Sequence, residues 1–188
     1  MNTFEHVGRI ARQKDWRRLD IRAVRGPLTA QVLREHGYVC PQIYGDPAVL
    51  LPLLYPVRHP ARNCGALRIE HYTKKTKKEE KDTKSLSVRT GDWRTFLDKL
   101  SGAEVVYSSS LHGIILAESY GIPAVFVREG MEAELMKYYD WYFATGRYDV
   151  RSAADFAEAA RMTPMEVPKL GRMQQALLES FPYDLWRG

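Results

Sequence analysis

The chain has 188 residues, an apolar share of 45%, and 28 basic against 23 acidic side chains, for a net charge of +5. That length suits one domain, with or without appendages, and the apolar share is enough for a sizeable core. The mild positive balance excludes a histone-like chain; an anionic small substrate, a membrane surface and nucleic acid all remain compatible with it.

Residues 1–22 hold Arg9, Arg12, Lys14, Arg17, Arg18 and Arg22 and read as a basic arm or solvated helix. No apolar leader follows Met1, so no signal peptide is expected. Residues 23–188 read as one α/β domain. "DIRAV" (20–24) is strand-like, and Pro27 suits the first turn of a helix. Leu28, Val32 and Leu33 share a face of that helix, and Gly37 ends it. Cys40 and Cys64 have neither metal-ligand nor redox spacing, which predicts two reduced thiols in a cytosolic protein. "PQIYG" reads as a short strand and "GDPA" (45–48) as a tight turn capped by Asp46. "AVLLPLLYPV" (48–57) is broken by Pro52 and Pro56 and falls short of the ~20 residues a bilayer span needs.

"GALRIEHY" (65–72) predicts a strand. Residues 73–84 carry six lysines and three acids with no apolar residue, the mark of a solvated loop. Interrupting acids and the lack of interleaved aromatics argue against nucleic-acid binding there. "SLSVRT" (85–90) predicts another strand. Asp92 is placed to cap a helix with Trp93, Phe96, Leu97 and Leu100 on one face. "AEVVYS" reads as a strand buried on both faces, the stretch after it as a helix ending at Gly121, and "IPAVFV" as the next strand. Helices are expected over 132–142, 152–161 and 168–181. The last of these, within a C-terminal helical region (165–188), carries a stripe of Leu170, Met173, Leu177 and Phe181. Strand and helix alternate with short connections, which predicts a Rossmann-like parallel sheet flanked by helices.

Ser108, Ser109, Ser110 and His112 fall where a strand ends and a helix begins. Ligands of parallel sheets bind beyond the carboxyl ends of strands, and free amides at a helix start favour an anion. The residues alone leave two readings open: an anion site with His112 as cation or general acid, or a capped helix with a polar first turn. No Gly-x-Ser-x-Gly elbow and no dinucleotide glycine spacing is present. "KYYDWYFATGR" (137–147) places Lys137, Asp140 and Arg147 among five aromatics. A core helix with a polar edge and a sugar-binding wall both fit that pattern. Arg25 follows a strand-like segment; its fork suits carboxylate or phosphate, or it is a surface residue at a turn.

Taken in order, "DIRAVRGPLTAQVL" (20–33), "GDPAVLLP" (45–52), "EHYT" (70–73), "SSSLHGIILAESYGIPAVFV" (108–127) and "KYYDWYFATGR" (137–147) resemble the polysaccharide pyruvyl transferase family, specifically its carboxyl-terminal half. The resemblance implies a GT-B-like architecture of two Rossmann-like domains, with this chain matching the second. It implies transfer of pyruvate from phosphoenolpyruvate, the donor substrate, to a sugar or lipid-linked oligosaccharide of a surface or exopolysaccharide precursor. The product is a ketal, phosphate is released, and no further cofactor and no metal is implied. On this resemblance His112 and Asp140 are the catalytic candidates. Arg25, Ser108, Ser109, Ser110, Lys137 and Arg147 would bind the donor, and Asp46, His71, Tyr138 and Trp141 the acceptor. Work at the inner face of the membrane, peripheral membrane contact and a homo-oligomer are compatible with that role. This chain has Ser110 where many members carry arginine, two residues before the histidine. A GT-B-type glycosyltransferase using a nucleotide-sugar and a non-catalytic glycan-binding half-enzyme are the competing expectations.

Overall fold

A computed structural model describes residues 19–57, 64–71, 84–131 and 134–186. In chain order the elements are helix α1 (Pro27–Glu35), a 3₁₀ turn (Pro47–Leu50), the one-turn helix α2 (Leu51–Leu54), β1 (Ala66–Glu70) and β2 (Lys84–Ser87). There follow α3 (Trp93–Ser101), β3 (Val105–Ser108), α4 (Leu111–Ser119), β4 (Ala124–Val127), α5 (Leu135–Ala144), β5 (Ser152–Ala153), α6 (Phe156–Ala159), α7 (Gly171–Ser180) and a 3₁₀ turn (Tyr183–Leu185). The basic arm, apart from its last four residues, and nearly all of the lysine-rich run lie outside the described residues. By contacts the chain divides into two compact units.

One unit takes residues 48–132 and 151–168 and holds the sheet. Its strands run in the order β2-β1-β3-β4-β5, and every pairing is parallel. This is the expected Rossmann-like α/β arrangement. The row Ile69–Ser108–Phe126 runs across β1, β3 and β4. Helix α4 packs on β3 and β4 on that face. Val125 and Val127 point the opposite way, into a cluster with Ala153 and Ala159 beneath α6. All four residues of β4 are buried, as a parallel strand covered on both faces requires. Helix α3 starts where the sequence places it, with the Asp92 carboxylate accepting from the Thr95 amide. Tyr120 donates its hydroxyl to the Tyr55 carbonyl at 2.9 Å, and burial pushes that phenol up to about 12.

The other unit takes residues 1–47, 133–150 and 169–188. The strand-like segments near 20–24 and 42–45 form a single parallel bridge, Val24 to Tyr44, rather than strands. Ala30, Leu33 and Cys40 pack with Ile21, Val24, Tyr38 and Tyr44, and α1 lies on α5. Arg22 grips Asp184 with both terminal nitrogens, at 2.7 and 3.0 Å, tying down the last turn.

Further sequence expectations change. The helix expected over 152–161 is instead the edge strand β5 followed by a single helical turn, because Ser152 and Ala153 pair with β4 and the Asp155 cap starts the helix late. The C-terminal stripe is buried at Leu170 and Leu177 but not at Phe181, which is 46% exposed beyond the helix end. The 168–181 helix itself is shorter, Gly171–Ser180. No helix among the described residues is long and apolar enough to cross a membrane.

Candidate functional site

The strand order places a topological switch point between β1 and β3. From β1 the chain moves outward to β2; it then returns past β1 to β3 and continues the other way to β4 and β5. At such a switch point, parallel sheets receive ligands beyond the carboxyl ends of the strands. His71 follows β1 there, and Ser108, Ser109 and Ser110 end β3.

The serines hold the two strand ends together. Ser109 N donates to Ile69 O at 3.1 Å, and His71 N donates to Ser109 Oγ at 3.0 Å. The Ser108 hydroxyl lies 3.0 Å from the Ile69 carbonyl and 2.9 Å from that of Ser110, and accepts from Ser110 N at 3.0 Å. Ser110 is the N-cap of α4, its oxygen accepting from Gly113 N at 3.4 Å. All three serines are buried. The capping reading describes the hydroxyls: Ser110 caps α4, and Ser108 and Ser109 staple the strand ends together.

Gly113 explains how α4 comes so close. A Cβ there would fall within contact distance of Ser108 Oγ and 2.9 Å from Ile69 Cγ2, so only glycine lets the first turn press onto the strand ends. The flanking residues Leu111, Ile114, Ile115 and Ala117 are buried and hold the helix rigidly. His112 is the exposed residue of this turn, while the His71 side chain is buried. The arrangement presents one accessible imidazole, on a fixed helix start, at the edge where parallel sheets receive ligands.

The remaining candidates lie in the other unit, and there several side chains have different jobs from those expected. Asp140, the proposed acceptor of a hydroxyl proton, has no exposed surface. Its Oδ1 accepts from the amides of Leu28 at 2.8 Å and Thr29 at 3.2 Å, and its Oδ2 accepts from Thr29 Oγ1 at 2.5 Å. It caps α1, whose own N-cap residue, Gly26, has no side chain to do so. Gly26 is needed for this approach, because a Cβ would collide with the Asp140 backbone carbonyl and with Oδ1. A carboxylate so enclosed is a structural anchor. Arg25 Nε stands 3.6 Å from Oδ2, an ionic contact too long for a hydrogen bond, and is itself buried without a hydrogen-bond partner.

Tyr138 and Trp141, expected on the acceptor side, are wholly buried; they are core, and burial pushes the Tyr138 phenol well above its ordinary value. Their helix is apolar enough to bury most of its circumference, so the aromatic pattern marks packing rather than a sugar-binding wall. Lys137 pairs with Glu134 and lies over the Tyr138 ring at 5.3 Å. Arg147 donates from Nε to Thr145 Oγ1 at 2.8 Å and stacks over Tyr142 at 4.5 Å. Asp46 is half-buried just before the first 3₁₀ turn.

Sequence reading missed a cavity of about 610 Å³ on the sheet's other face, lined in part by Arg68, Lys84, Tyr107, Glu129, Asp155 and Phe156. One of its cations is already engaged, since Arg68 pairs with Glu70 and stacks on Phe156 at 3.8 Å. The signal was present in β1, where Arg68 and Glu70 alternate with buried Leu67 and Ile69.

Comparison with curated proteins and with solved structures returns no match to this chain. A family model does match, over residues 5–130 of the 188. That span contains Arg25, Asp46, His71, the serine-bounded strand end and His112, and it stops before the aromatic helix α5. The model is that of polysaccharide pyruvyl transferase, and with well over half of its length matched, this chain belongs to that family.

Proposed function

We propose that the protein transfers pyruvate from phosphoenolpyruvate to a pair of sugar hydroxyls, forming a ketal and releasing phosphate. The observation that carries this reading is His112, exposed on the first turn of α4 at the sheet's switch point. In this mechanism His112 acts as general acid and protonates the methylene carbon of the donor. That carbon becomes the methyl group, and positive charge develops at the neighbouring carbon that bears the phosphate ester. A first sugar hydroxyl adds there and loses its proton, which restores the acid. The second hydroxyl then displaces phosphate, which carries away the remaining proton. The donor is an anion with a carboxylate and a phosphate, so it is drawn to the helix start and to arginine forks. Asp140 takes no part in this scheme; it anchors the start of α1. The acceptor is a sugar or lipid-linked oligosaccharide of an envelope polysaccharide, met at the cytoplasmic side of the membrane.

The test is phosphate release from phosphoenolpyruvate with candidate glycan-lipid or sugar acceptors, for wild type and His112→Ala. Loss of a general acid should slow turnover by about 10²- to 10⁴-fold, with little loss of stability because the side chain is exposed. Wild-type turnover in the variant would remove His112 from the chemistry. Stabilisation by a nucleotide-sugar and not by phosphoenolpyruvate would replace the donor.

A further inference from the structure

The donor's charge needs a cation at the sheet edge, and none of the residues at the end of β3 supplies one: Ser108, Ser109 and Ser110 are neutral and already bonded. We infer that Arg128, which no sequence motif singled out, is a donor-binding residue of this site, holding the phosphate or carboxylate of the anionic donor. The inference rests on the anionic-donor reading above.

Its placement follows from the register. Ser108 pairs with Phe126 across β3 and β4, so two residues further along stand Ser110, the N-cap of α4, and Arg128. The ladder still runs at this point, because Arg128 N donates to Ala153 O at 2.8 Å. Alternation then matters. Val125 and Val127 face the α6 side, so Phe126 and Arg128 lie on the side that carries α4. The chain turns at once, with Met131 N donating to Arg128 O at 2.7 Å and Gly130 at φ +73°, a geometry that fixes the arginine's backbone from both sides.

The side chain has an unmet demand. Arg128 Nε is buried and has no hydrogen-bond partner. A buried donor left in that state calls for an acceptor. The other two arginines that share this feature already have a compensating contact, Arg25 with Asp140 and Arg68 with Glu70 and Phe156. Among the described residues no carboxylate and no ring does the same for Arg128. An oxyanion approaching the start of α4 would meet a planar fork on one side and the exposed His112 on the helix.

The experiment compares binding of phosphoenolpyruvate and of inorganic phosphate to wild type, Arg128→Met and Arg128→Lys by calorimetry, with circular dichroism to check folding. Charged hydrogen bonds of this kind predict a loss of about tenfold or more for Arg128→Met. Arg128→Lys should recover part of it, since lysine keeps the charge but not the fork. Wild-type affinity for phosphoenolpyruvate in Arg128→Met overturns the inference and leaves the donor reading standing. If wild type binds phosphate but not phosphoenolpyruvate, and Arg128→Met loses phosphate, Arg128 is an anion ligand and the donor reading fails. Binding of neither anion by wild type overturns both.

Discussion

Replacing Asp140 by alanine separates an anchor from a catalytic base. The variant strips the acceptor from the amides of Leu28 and Thr29 and from the Thr29 hydroxyl. It also removes the counter-charge 3.6 Å from Arg25 Nε. Loss of a helix cap alone costs about 1 kcal/mol. Part-buried donors left without an acceptor add about 1–2 kcal/mol, less than the sum of separate bonds because water reaches some of them. The contact to Arg25, at 3.6 Å, is too long for a hydrogen bond and adds little. A total near 3 kcal/mol corresponds to a fall in melting temperature of about 6–12 °C for a chain of this size. Asp140→Asn keeps one carbonyl oxygen as acceptor, and the Thr29 hydroxyl can rotate to receive the new amide, so about 1 kcal/mol is expected. Thermal denaturation followed by circular dichroism, with amide exchange at Leu28 and Thr29, reads both variants. An Asp140→Ala protein that melts with wild type would refute the anchoring argument. An Asp140→Asn protein of full stability and no turnover would return the residue to the chemistry.

Gly113→Ala places a Cβ 2.9 Å from Ile69 Cγ2 and against Ser108 Oγ. Overpacking of about 1–3 kcal/mol should outweigh the ~1 kcal/mol helix preference of alanine; a urea midpoint above wild type would contradict the close approach of α4. The Asp92 carboxyl is held below its ordinary range by the hydrogen bonds it accepts at Thr95. Its contribution to α3 is therefore present above the ordinary carboxylate range and is lost as pH falls through the lowered value. The stability difference between wild type and Asp92→Asn should shrink on acidification, and a pH-independent difference would rule out an ionised cap. Burial pushes the Cys40 thiol up, whereas Cys64 is only half-buried. Iodoacetamide at neutral pH followed by mass spectrometry should find Cys64 modified first; faster labelling of Cys40 would show that its cluster opens.

The serine–histidine turn was legible because three local signals coincide there: an apolar strand, a serine cap and an apolar helix with one polar residue in its first turn. The periodicity of Trp93, Phe96, Leu97 and Leu100 likewise named the buried face of α3 at its last three positions, while Trp93, at the start of the helix, is exposed. Arg128 was not legible. It follows an apolar strand as many arginines do, and only its pairing beside the end of β3 gives the position meaning. The aromatic helix misled for a related reason. Rings and charges alternate in both a binding wall and a core helix, and burial is decided by what packs against the helix.

Local chemistry in the sequence therefore determined the element types, the caps and the family pattern, since caps, turns and periodicity depend on residues within a few positions of one another. Tertiary structure decided which side chain serves which end. Asp140 became the cap of a helix more than a hundred residues away, and Gly26 and Gly113 became sites of close approach. Strand order made the ends of β1 and β3 the switch point. These assignments depend on long-range register and burial, and a carboxylate or guanidinium acquires its role from the partners that the fold brings to it.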